Sequence, residues 1–170
     1  EEASVLFSQM QEASRALLTM PVTPAKEGEA PAENPQRVTF EHLARQLKDE
    51  YAGTTYAVMA ALMVARDKVD AGNAADAEKE LRWALEQKPA EAISMIINLR
   101  LARVLAMKGE LDNALVLLEG IDPGAQKSTY EELRGDLYMA KGDVAKAREA
   151  YKAGLAAAAE GSNNRALLKT

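Results

Sequence analysis

Apolar residues recur at helical spacing from the start of the chain. Leu6, Met10, Ala13, Leu17 and Met20 follow one another at steps of four, three, four and three, which is the stripe of an amphipathic helix over residues 1–19. The stretch from Met20 to Pro35 breaks the pattern. Pro21, Pro24, Pro31 and Pro35 are four of the six prolines in the protein, and residues 20–36 read as an extended loop. Periodicity resumes after Val38, with Phe40, Leu43, Leu47 and Tyr51 on one face, and stops near Gly53. This predicts a second helix, so that residues 1–53 form a degenerate N-terminal pair whose turn has been replaced by the Pro-rich loop.

Beyond Thr54 the chain repeats itself. Gly72, Gly109 and Gly142 lie 37 and 33 residues apart, and each is followed by a polar residue suited to start a helix: Asn73, Glu110 and Asp143. Small residues stand seven before each Gly (Ala65, Ala102, Gly135) and five after it (Ala77, Ala114, Ala147), and a large one nine after it (Leu81, Leu118, Tyr151). A Gly in the left-handed conformation ends one helix, a polar cap begins the next, and the small residues let the two approach closely. The large residue is expected to fill the space towards the following pair. No single hairpin hides its apolar face alone, so stacking must supply a continuous core. These features predict an all-α protein, a right-handed helical solenoid of antiparallel helix pairs with three repeats over 54–161. Residues 162–170 are expected to cap it by folding back after Gly161, the whole forming one domain.

Period and small/large pattern resemble the tetratricopeptide repeat. The resemblance is clearest from Tyr130 to Leu155, where Gly135, Tyr138, Gly142, Ala147 and Tyr151 match the family's signature positions. The copies around Gly72 and Gly109 are weaker, with Lys68 and Leu105 in place of Tyr138 and a closing proline, Pro89, only in the first.

Composition agrees with helices and narrows the chemistry. Apolar residues make up 48% and aromatics 5% of the 170 residues, poor in what strands favour. A net charge of −5 lacks the basic footprint of a nucleic-acid binder. Cys is absent, which excludes thiol nucleophiles and thiolate metal sites without separating an oxidising from a reducing compartment. The single His, His42, is expected at the surface. The acidic pairs Glu1-Glu2, Glu78/Glu80 and Glu131-Glu132 lack calcium-loop spacing and read as solvated helix faces. Trp83 reads as packing within or between repeats. No catalytic, cofactor or metal site emerges, and the expectation is a non-enzyme.

Binding is the reading the pattern favours. The first helix of each pair is expected to line a concave face, presenting Met59, Leu62, Met63 and Arg66, then Ile96, Leu99, Arg100 and Arg103, then Leu133, Asp136 and Met139. Methionines adapt to varied apolar partners, and Arg100 with Arg103 suits a carboxylate or a backbone carbonyl. The competing expectation is that the methionines and leucines are core and the arginines pair with their own neighbours.

A closer resemblance rests on Ile97-Asn98-Leu99-Arg100-Leu101-Ala102-Arg103-Val104 and on Leu133-Arg134-Gly135-Asp136, followed by Lys141-Gly142-Asp143, Ala147-Arg148 and Ala153-Gly154. These stretches are similar to the YfgM family of bacterial inner-membrane proteins. The resemblance implies a short cytosolic segment, one transmembrane helix and this repeat domain in the periplasm. It also implies association with the SecYEG translocon, with the chaperone PpiD and with exported polypeptides. The chain opens Glu1-Glu2-Ala3 without Met, as expected of a fragment or processed product, and shows no membrane-spanning run. A second expectation, from a different class, is a regulator that sequesters a stress-signalling protein, with the repeat domain as sensor or spacer. The oligomeric state stays open.

Overall fold

The computed structural model describes residues 1–19 and 34–167, with side chains as far as Gly161. Among these, eight α-helices and one short 3₁₀ turn account for the regular structure: α1 (Glu2–Thr19), α2 (Pro35–Glu50), α3 (Thr55–Asp70), α4 (Ala74–Glu86), α5 (Glu91–Met107), α6 (Leu111–Glu119), α7 (Lys127–Ala140) and α8 (Val144–Leu167), with the 3₁₀ turn at Gly124–Gln126 ahead of α7. Each helix packs against the next in sequence, α1 also touches α3, and α5 touches α7. The result is an all-α helical repeat solenoid.

Cap chemistry places the helix ends. Asn34 Oδ1 accepts from the Gln36 N–H at 2.9 Å, and Pro35 sits in the first turn, where its missing N–H has no helical partner to lose. Helix α2 therefore starts at Pro35, ahead of the apolar stripe and inside the span expected to be loop. The rest of the Pro-rich segment, residues 20–33, lies outside the described residues.

At Gly72, Gly109 and Gly142 φ is +74°, +80° and +80°. In each turn the N–H after the Gly donates to a carbonyl five residues back: Asn73 to Lys68 at 2.8 Å, Glu110 to Leu105 at 2.9 Å and Asp143 to Tyr138 at 2.9 Å. That bond belongs to the backbone, so Lys, Leu and Tyr serve equally at this position. Asn73 and Asp143 then cap the following helices, accepting from the N–H groups of Asp76 and Lys146 at 3.2 and 3.1 Å. Glu110 makes no side-chain cap bond; its longer carboxylate is held by Lys108 at 2.6 Å and Asn113 at 2.9 Å.

Two apolar clusters share α3. One runs from Val58 and Ala61 through Leu81, Ile97, Leu101 and Leu118 to Leu137; the other joins Met10, Phe40 and Leu47 to Ala60 and Val64. Helices α3 and α5 are buried on most of their circumference, which a one-face periodicity does not register. Fully burying one such leucine stabilises by about 2 kcal/mol, so stacking outweighs helix propensity.

Ion pairs stitch successive layers at corresponding places. Lys68 near the end of α3 lies 3.8 Å from Glu41 of α2, Lys108 at the end of α5 lies 2.6 Å from Glu78 of α4, and Lys141 at the end of α7 meets Asp112 of α6. Lys48 of α2 reaches Glu80 of α4 at 2.7 Å and lies over the Trp83 ring at 4.9 Å from its centre. Glu78 and Glu80 are thus linkers between layers, and Glu131 is buried against Arg134 at 2.9 Å, so these three correct the reading of solvated faces.

Two further expectations change. Tyr151 does not fill the space towards another pair; it lies on Gly135 of its own pair, with its hydroxyl donating to Asp136 Oδ1 at 2.7 Å. The chain also does not turn at Gly161, because α8 runs unbroken to Leu167. Gly161 has no left-handed φ and no cap bond to stop the helix.

Candidate binding cleft

The structure divides the eleven candidate residues by depth. Leu62, Leu99 and Leu133 are core, Leu99 being 4% exposed, because they sit at the edge of the stripe that turns towards the second helices. For these the apolar-core expectation holds and the groove assignment is corrected. Met63 is half-buried against the N-terminal cluster. Met59, Ile96 and Met139 are exposed, as are Arg66, Arg100, Arg103 and Asp136.

Neighbour pairing accounts for little of the arginine chemistry. Arg66 stands 3.8 Å from Asp70 with both side chains mostly in solvent, an interaction worth only a few tenths of a kcal/mol. The side chains of Arg100 and Arg103 make no ion pair or hydrogen bond among the described residues.

All three arginines line one cleft of about 440 Å³. Ala65, Arg66 and Val69 of α3 form one wall, Arg100, Arg103, Val104 and Met107 of α5 the other, and Leu81 of α4 the floor. The cleft exists because α3 and α5 both pack on α4 without comparable contact with each other, whereas α1 meets α3 and α5 meets α7. Asp136 and Met139 of α7 are not part of it, nor are Met59, Met63 and Ile96 nearer the starts of α3 and α5.

Sequence reasoning missed Met107, which is 52% exposed, and assigned Leu81 only to packing. The signal for Met107 was present, since it follows Arg103 by four residues and shares its face. Nothing in the sequence placed Leu81 beneath the arginines, because that depends on the gap between two helices in different repeats.

His42 is exposed on α2 and borders a shallow hollow with Gln9, Glu12 and Thr39. Among the described residues no cluster of three metal-ligating side chains occurs, and no helix is long and apolar enough to cross a membrane.

Stacked helix pairs that share a continuous core define a helical repeat solenoid. A family model described as a tetratricopeptide repeat-like domain matches residues 1–170, and the chain belongs to that family. The chain is also similar to curated relatives named ancillary SecYEG translocon subunit. The one from Escherichia coli (strain K12) is 35% identical over 101 residues, covering 59% of this chain and 49% of the relative. That from Aggregatibacter actinomycetemcomitans is 36% identical over 99 residues, 58% and 48% of the two chains. The Haemophilus influenzae protein is 34% identical over 99 residues, with the same coverage. These relatives are the family that the Ile97–Val104 stretch resembles. The chain spans about half the length of the curated relatives it matches. No solved structure matches it significantly.

Proposed function

We propose that this chain is the non-catalytic, partner-binding domain of an ancillary subunit of the SecYEG translocon. In this reading the whole protein is anchored in the inner membrane by a single span and the repeat domain stands in the periplasm. There it holds exported polypeptides, or the chaperone PpiD that receives them, against the solenoid. The relatives' shared name supports the translocon link. The observation that carries the binding role is the outer side of α3 and α5, which leaves the large side chains of Met59, Arg66, Ile96, Arg100, Arg103 and Met107 exposed on two helices that are otherwise largely buried in the core. A solenoid that served only as a spacer would gain stability by covering that side with polar residues.

The test is photo-crosslinking in cells expressing the full-length anchored protein, with the photoreactive residue placed in turn at Met59, Ile96 and, as a control on α8, at Leu155. Adducts to a translocon subunit, to PpiD or to an exported chain are expected from the first two positions and not from the control. Adducts from Leu155 alone, or none from any position, would remove this face from the mechanism.

A further inference from the structure

The cleft between α3 and α5 supports a more specific assignment, which deepens the reading above and rests on it for the statement that the ligand is protein. We propose that it is a docking site for an acidic amphipathic peptide segment: one Asp or Glu carboxylate held by Arg66, Arg100 and Arg103, with a neighbouring large apolar side chain seated on Leu81, Val104 and Met107.

Charge supplies the first support. Acidic residues outnumber basic ones, 26 to 21, and the turn lysines of all three repeats find carboxylates. In a chain with surplus acid, three arginines line one cleft, and among the described residues the one carboxylate within ion-pair distance of any of them is the largely solvent-exposed Asp70, 3.8 Å from Arg66. Like charges gathered over low-dielectric walls repel one another, and a bound carboxylate relieves that repulsion. All three are arginine, whose fork grips a carboxylate through two parallel N–H···O bonds and also stacks on flat groups. Arg100 and Arg103 lie three apart on one helix, so they address the same side of the cleft.

Shape and lining supply the second. A volume of about 440 Å³ is within the range of small-ligand pockets and admits a few side chains rather than a folded domain. Val69, Leu81, Val104 and Met107 make the walls apolar, and the exposed Met107 adapts to differing partner side chains. An inorganic anion uses the arginines and leaves these walls wet; a peptide carrying both groups uses all of the lining.

The experiment uses this 170-residue chain and a short fluorescein-labelled peptide of alternating leucine with aspartate or glutamate, read by anisotropy. Its control is the same peptide with every carboxylate replaced by the amide. The acidic peptide is expected to bind at least about tenfold more tightly than the amide version, less tightly as salt rises. Arg100→Gln with Arg103→Gln should weaken it by at least about tenfold, Arg66→Gln by less, and Met107→Asp should weaken it while leaving the arginines intact. Circular dichroism confirms that these exposed substitutions keep the fold. Equal binding of acidic and amide peptides, or an unchanged Kd in the double arginine variant, would overturn the site. Full displacement by millimolar inorganic phosphate together with no effect of Met107→Asp would reduce it to a simple anion site and overturn the peptide assignment. Peptide binding that persists while crosslinking in cells finds no export partner would retain this site and remove the translocon reading; the reverse result would do the opposite.

Discussion

Gly135 and Tyr151 are in direct contact across the last helix pair: a methyl group placed on Gly135 would stand 2.6 Å from Cδ1 and 2.8 Å from Cζ of the tyrosine ring. The ring is further fixed by its hydroxyl, which donates to Asp136 on the next residue of α7. Glycine in a helix interior costs about 1 kcal/mol in propensity, so its presence here is set by this contact and not by α7 itself.

Gly135→Ala is therefore a contest between two effects. Alanine gains about 1 kcal/mol of helix propensity, and overpacking loses about 1–3 kcal/mol by forcing the ring from its place. Net destabilisation of about 1 kcal/mol is expected, lowering Tm by about 2–4 °C. The double variant Gly135→Ala, Tyr151→Ala should be less destabilised than the sum of the singles, because the overlap is gone. Strict additivity in urea unfolding would show that the two residues do not couple.

Gly109→Ala separates strain from space. No atom lies within 4 Å of the added methyl, but φ is +80°. The loss, about 1 kcal/mol, is conformational, and Gly109→Asn should lose less because asparagine tolerates the left-handed region better. Equal denaturation midpoints for all three proteins would exclude strain at this turn.

Leu99 and Ile96 test the division of the stripe. Leu99→Ala removes a buried side chain and should cost about 2–5 kcal/mol, whereas Ile96→Ala, at 38% exposure, should cost under about 1 kcal/mol. Similar losses for both would mean that Ile96 is held by packing and is not free for a partner.

Acid sensitivity should trace to the stitch between α4 and α5. Hydrogen bonding from Lys108, then from Arg82, holds the Glu78 carboxyl below its ordinary range. A depressed folded-state pKa stabilises above the unfolded value and ceases to do so as pH falls through the folded one. The stability difference between wild type and Glu78→Gln should thus be largest near about pH 7 and shrink below about pH 4. A difference independent of pH would show that Lys108 and Arg82 do not lower the Glu78 pKa.

Local rules made most of the architecture readable. The Gly-polar pairs at 72, 109 and 142 specify turns whose bonds are all within six residues, and the polar Asn73 and Asp143 announce the next helix. Where a local rule was incomplete the boundary moved: Asn34 and Pro35 start α2 earlier than its apolar stripe, and Gly161 without a left-handed φ lets α8 continue.

By itself, the sequence determined the helices, their pairing and the identity of the side chains along the first helix of each pair, because periodicity and capping act over a few residues. Only the tertiary structure decided which of those side chains are core, that Tyr151 packs on its own pair, and that Arg66 joins Arg100 and Arg103 over Leu81. These outcomes depend on how helices distant in sequence are set against one another, the last of them on how far apart α3 and α5 are held by α4, and no single helix encodes such spacings.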